Sequence, residues 1–225
     1  MKKLLIVLIV LGLASVSNAE LILNWSFTGT APIESQVADE LIHANLDSGG
    51  IYNDLTRGAG AGTSAANSSF RTVGFQNDGI AIGNTDYFEF ILSAAPTYLL
   101  SLTTVNATFA GTATYSASPG VDHQWGYRLG GAGDFTLIDT SVNRTGNGTS
   151  AFDLSGTSAL QDVGAGTDVY LRYFATGQTS TGGWGFSSAG IDVDGTLSVI
   201  PEPGVLALLS IGGLAIVRFA RRRKA

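Results

Sequence analysis

The chain has 225 residues, of which 44% are hydrophobic and 13% charged, with 30 glycines and no cysteine. With a mean hydropathy of +0.24 this excludes a charge-rich disordered chain, and the missing cysteine excludes a disulfide scaffold, a thiolate metal site and a cysteine nucleophile. The formal charge of −6 is uneven: residues 20–199 carry five basic side chains, all arginine, against seventeen carboxylates, a net −12. Such a surface repels nucleic acid and anionic lipid and attracts divalent cations.

The first nineteen residues read as a secretory signal peptide. Lys2 and Lys3 precede an apolar run over 4–13, and small side chains at Ser17 and Ala19 suit cleavage before Glu20. From there the chain alternates with period two. Leu21, Leu23, Trp25 and Phe27 interleave with Ile22, Asn24 and Ser26, the pattern of a half-buried strand. One stretch departs from that rhythm. Val37, Leu41, Ile42 and Leu46 fall at helical spacing, so a short helix is expected near 37–46. A Gly/Ala/Ser-rich surface loop is expected over 48–69. Further strands are predicted at 69–75, 87–92, 98–109, 123–129, 135–139, 151–154, 168–175 and 191–199. Gly-Gly, Asn-Asp-Gly and Ser-Pro-Gly turns punctuate them. Many strands without alternating long helices predict an all-β fold, a single antiparallel β-sandwich over 20–199.

Chemistry-bearing residues are sparse in this body. His43 and His123 are its only neutral-pH bases, and neither lies in a Gly-x-Ser-x-Gly elbow or a His-Glu-x-x-His pair. His43 reads as a solvated helix position and His123 as a strand start beside Asp122. The glycines of GAGAG at 58–62 lack the Lys-Ser/Thr of a phosphate loop and read as a flexible turn. Asp192 and Asp194 alternate on one strand and so share a face. The bland reading puts them on the outward face of an edge strand, with Ile191 and Val193 in the core. The functional reading is one structural Ca²⁺, since hard cations take clustered oxygens. Asp47, Asn53 and Asp54 form an alternative loop ligand set. Aromatic rings stack on the apolar faces of sugars. Trp184, in the glycine-flanked TGGWGF, and Trp125, beside Tyr127, are therefore the glycan-contact candidates, each weighed against ordinary core packing. Trp25 belongs to an alternating strand and reads as core.

The C-terminal 200–225 repeats the membrane theme. Pro201-Glu202-Pro203 is followed by an apolar run over 205–217 and then by Arg218, Arg221, Arg222, Arg223 and Lys224. Thirteen apolar residues in a helix reach about 20 Å, a marginal span that Phe219, Ala220 and a snorkelling Arg218 extend. The basic cluster would stay cytoplasmic and leave the body outside. A Pro-Glu-Pro motif, a short apolar helix and a terminal arginine cluster, in that order, resemble the PEP-CTERM sorting signal of Gram-negative bacteria. The resemblance covers about a tenth of the chain. It implies processing by exosortase, a membrane cysteine protease or transpeptidase whose systems accompany exopolysaccharide production. The order of DYFEFILSA, YLLSLTTVNATF, HQWGYRLGGAGDFTLI, DLSGTSALQDV, VYLRYFATGQTSTGGWGF and GIDVDGTLSV also resembles the jelly-roll-like ectodomains common among PEP-CTERM proteins. Those are similar in outline to carbohydrate-binding modules, and no binding residue carries over from them.

These readings predict an exported protein, anchored transiently in the inner membrane and then placed at the cell surface or in the extracellular matrix. It would be non-catalytic, associated with exopolysaccharide and without nucleic-acid partners. No cofactor is expected beyond the structural Ca²⁺ considered above. The alternative is a lectin-like carbohydrate-binding module displayed at the surface.

Overall fold

The computed structural model describes residues 18–200, apart from 30–32, 34, 39–40, 50, 76–78, 112–119 and 178–182. The signal segment up to residue 17, Pro201-Glu202-Pro203, the expected membrane helix and the basic cluster from Arg218 to Lys224 lie outside the described residues. Among the described residues no helix is long and apolar enough to cross a membrane.

Fourteen strands follow one another, with a single 3₁₀ turn at Ser158–Leu160 as the helical element among the described residues. They are β1 (Glu20–Trp25), β2 (Gln36–Val37), β3 (Leu41–Ile42), β4 (Asp54–Arg57), β5 (Phe70–Thr72), β6 (Tyr87–Leu92) and β7 (Tyr98–Gly111). After them come β8 (Val121–Leu129), β9 (Thr136–Leu137), β10 (Val142–Arg144), β11 (Gly148–Asp153), β12 (Val163–Gly164), β13 (Val169–Thr176) and β14 (Trp184–Val199). The first sheet runs β11-β7-β14-β1-β3, with β12 on β7 and β5 on β14; the second runs β10-β8-β13-β6-β4-β2, with β9 on β8. Every pairing between these strands is antiparallel.

The two sheets meet through aromatic side chains. From the first sheet Trp25, Phe109, Trp184 and Phe186 point inward, and from the second Phe88, Phe90, Trp125 and Tyr173, all at most 1% exposed. They interlock across the gap: Trp25 on Phe90 with ring centres 4.8 Å apart, Phe109 on Tyr173 at 5.5 Å and Phe88 on Phe186 at 5.4 Å. Each fully buried ring of this kind contributes about 1.5–3 kcal/mol in transfer free energy, so this layer holds the sandwich together.

The expected helix near 37–46 is not formed. Gln36 and Val37 pair with Leu55 and Asp54 of β4, while Leu41 and Ile42 pair with Asn24 and Leu23 of β1. Leu46 then bridges to Ala94. The segment thus passes from the edge of one sheet to the edge of the other, where ladder hydrogen bonds replace the intrahelical ones. The loop expected over 48–69 likewise contains β4. Its GAGAG segment is closely packed: Gly58 and Gly60 donate N–H to the carbonyls of Tyr87 and Thr85, both at 2.9 Å, and Ala61 is buried. A Cβ on Gly58 would collide with the Thr85 carbonyl and the Tyr87 ring, so glycine is required there for close approach.

β14 has a break in its middle. Phe186 pairs with Phe109 and Ile191 with Ala107, so residues 187–190 bulge out against one residue of β7. On its other side β14 pairs with β5 before the bulge and with β1 after it. Gly190 ends the bulge at φ +76°, and a Cβ there would strike the Trp25 carbonyl. A second bulge shifts the phase of β1. Leu21 pairs with Asp194 and Leu23 with Val193, leaving Ile22 as the extra residue. Ile22 is therefore buried and Leu21 is 39% exposed, the reverse of simple alternation.

Candidate functional site

Both tryptophans weighed between glycan contact and core packing are core residues: Trp184 is 0% and Trp125 1% exposed. Trp184 sits inside because its strand alternates Trp184-Gly185-Phe186 with both rings inward, and Phe109 stacks on it at 5.7 Å with an interplanar angle of 5°. Trp125 packs on Phe90 and Tyr173. Neither presents a ring face to a ligand. Burial of the two rings decides for core packing and removes the glycan-contact candidacy.

Between them lies a buried polar chain. Trp184 Nε1–H donates to the Tyr173 hydroxyl at 2.8 Å, and that hydroxyl lies 3.0 Å from His123 Nδ1. Since the indole can only donate, the phenol accepts from it, and the imidazole tautomer sets the direction of the bond between the phenol and Nδ1. Nε2 is buried with no hydrogen-bond partner, and the imidazole ring packs on Phe109 and Phe152 with ring centres 4.6 and 5.3 Å away. Burial, and then the nearby Arg144 charge, lower the His123 pKa to about 4. Burial also holds Tyr173 well above the usual phenol range. The chain is closed to solvent. His43 is not on a helix: it follows β3, accepts the Asn45 N–H at Nδ1 (3.1 Å) and contacts Glu20 through Nε2 (3.1 Å).

Asp192 and Asp194 share the outer face of the first sheet, while Ile191 and Val193 are fully buried beneath it. Their strand is central, between β7 and β1, not an edge. Asn24 of β1 donates to Asp192, and Asn106 of β7 donates to Asp194 at 3.0 Å. Burial, and then the charge of Asp192, raise the Asp194 pKa against that hydrogen bond. In the loop set, Asp47 accepts the Gly49 N–H at Oδ1 and Asn53 donates its amide to the Asp47 carbonyl, while Asp54 begins β4. Among the described residues no group of three or more His, Cys, Asp or Glu side chains is placed to hold a metal ion.

The outer face of the second sheet carries a cluster that the sequence reading passed over. Alternation in YFEF and VYLRY turns Tyr87, Glu89, Tyr170 and Arg172 away from the core. The ladder then sets Arg172 opposite both Glu89 and Gly126, and Tyr170 opposite Arg128. Arg172 donates Nε and Nη2 to Glu89 Oε2 at 2.9 and 2.7 Å. Its guanidinium lies 3.5 Å from the Tyr87 ring centre and 3.9 Å from that of Phe135. Arg128 stands 4.2 Å from Tyr170 and 4.9 Å from Phe135. Phe135 reaches this face because the 130–134 turn folds β9 back onto β8. The residue types were visible in the sequence, but their convergence depends on which strands are neighbours.

No family model and no curated protein matches the chain. One solved structure, Xylanase10C (mutant E385A) from Cellvibrio japonicus in complex with xylopentaose, is similar over 80% of this chain and 29% of that one, at 14% identity and a TM-score of 0.35. The chain thus spans less than a third of that protein's length.

Proposed function

We propose that this is an exported, non-catalytic envelope or matrix protein whose jelly-roll-like sandwich is delivered by a PEP-CTERM sorting tail. The apolar run over 205–217 and the basic cluster from Arg218 to Lys224 hold the chain in the inner membrane. Exosortase then acts near Pro201-Glu202-Pro203, and the body passes to the surface or the exopolysaccharide. One observation carries this reading. The Ile200 N–H bonds to the Thr97 carbonyl at 2.8 Å, and the next residue, Pro201, has no N–H with which to continue a ladder. Folded structure therefore extends to the residue before the sorting motif, as a domain followed by a detachable tail requires. Replacing Pro201, Glu202 and Pro203 by alanine should leave full-length protein in the membrane fraction. An unchanged released form would overturn the sorting reading.

A second reading, a glycan-binding module, is favoured by the arginine–aromatic cluster on the outer face of the second sheet. Half-buried tyrosines beside guanidinium donors supply what sugars need, apolar edges and hydrogen bonds.

A further inference from the structure

Arg128 is out of keeping with its surroundings. The body has seventeen carboxylates and five arginines, yet the Arg128 guanidinium makes no hydrogen bond or ion pair among the described residues, and its Nε is buried without a partner. The adjacent Arg172 is neutralised by Glu89. The Asp168 carboxylate, just before β13, accepts the Tyr52 hydroxyl at 2.7 Å. Two rings, Tyr170 and Phe135, hold the Arg128 side chain in place. Beside it the turn at 130–133 is bare: a Cβ on Gly130 or Gly133 would meet nothing within 4 Å, and one on Gly131 only the Tyr170 hydroxyl at 3.9 Å. Open space thus adjoins an oriented, unpaired cation.

We infer that Arg128, with the Tyr170 hydroxyl and the bare turn 130–133, binds the carboxylate of a uronic-acid unit in an acidic polysaccharide. This rests on the glycan-binding reading above and narrows it to one sugar class. A planar guanidinium matches a planar carboxylate through two parallel N–H···O bonds, a geometry lysine cannot supply. The net −12 of the body opposes approach of any polyanion. That repulsion acts at long range and is screened within about 8 Å at physiological salt, whereas the contact pair is screened far less. Binding should therefore strengthen as salt rises from about 10 to 150 mM, opposite to the behaviour of a basic polyanion-binding surface.

The test uses the full chain in non-ionic detergent micelles, titrated calorimetrically with a short oligogalacturonate and with a neutral galactose oligomer of equal length. The expected result is saturable binding of the oligogalacturonate, weakened about tenfold or more in Arg128→Gln, in line with loss of a charged hydrogen-bonded pair. Gly131→Leu should weaken it as well, by filling the open rim while leaving Arg128 untouched, so the two variants do not depend on each other's folding. Unchanged oligogalacturonate affinity in Arg128→Gln would overturn the inference. Binding of the neutral oligomer alone would overturn it too and leave the glycan reading standing, whereas binding of neither would remove both.

Discussion

His123 is 0% exposed, and its neutrality at pH 7 is a consequence of that burial. Its folded pKa of about 4 lies below the 6.5 of a free imidazole, so the unfolded chain takes up the proton first. The stability this represents is fully present above pH 6.5 and is lost as pH falls through about 4, a span worth roughly 3 kcal/mol. His123→Gln keeps an acceptor for the Tyr173 hydroxyl but cannot titrate. Melting temperatures followed between pH 7 and 4 should therefore fall less steeply for the variant than for the parent. The Trp184 ring, stacked on Phe109 and donating to Tyr173, is a packing residue. Trp184→Ala should cost about 3–5 kcal/mol, read by denaturant unfolding; a variant of parental stability would return Trp184 to the surface. Its burial was not legible in TGGWGF, because flanking glycines suit an exposed ring and a tightly paired strand equally well.

Within the first sheet, β14 carries the largest share of the architecture. It lies between β7 and β1 for its second half and between β7 and β5 for its first, and the glycine-ended bulge at 187–190 makes the exchange of neighbours. Alternation along 191–199 was readable from the chain and put Asp192 and Asp194 together on one face. Their partners, Asn24 and Asn106, lie 168 and 88 residues away in sequence, so only strand pairing could reveal the amide–carboxylate ladder. Each carboxylate there accepts an amide N–H at one of its oxygens, and no third His, Cys, Asp or Glu side chain joins the pair among the described residues, too few ligands for a calcium ion. Melting temperatures in millimolar calcium and in EDTA are therefore expected to agree within about 1 °C for the parent. A larger rise in calcium, abolished by Asp194→Asn, would assign the pair as a cation site.

The molecule as a whole is under electrostatic tension, with a body charge of −12 and no lysine between residues 20 and 199. The arginines relieve little of it. Arg172 meets Glu89, but Arg144 donates to the Thr149 carbonyl and the Ser150 hydroxyl, and Arg128 makes no ion pair among the described residues. Uncompensated like charges destabilise the compact state and are screened by salt. Raising sodium chloride from about 10 to 150 mM should lift the melting temperature by about 2–4 °C, the equivalent of about 1 kcal/mol for a domain of this size. A flat or falling trend would mean that the carboxylates are locally neutralised.

Period-two alternation, turn residues and charge counts are properties of neighbouring residues. From them the chain alone determined an all-β body, the places of strands β6, β8 and β13 along it, and the acidity of the surface. Apolar spacing at 37–46 could not separate a helix from two short strands, because the backbone there is satisfied by partners supplied from distant segments. The same holds for the phase of β1, which a single extra residue reverses, and for both tryptophans, whose burial depends on which sheet lies opposite. The isolation of Arg128 was likewise decided by tertiary structure. Its neighbours, Tyr170 and Phe135, are supplied by strand pairing, and strand order is set by packing between segments far apart in the chain.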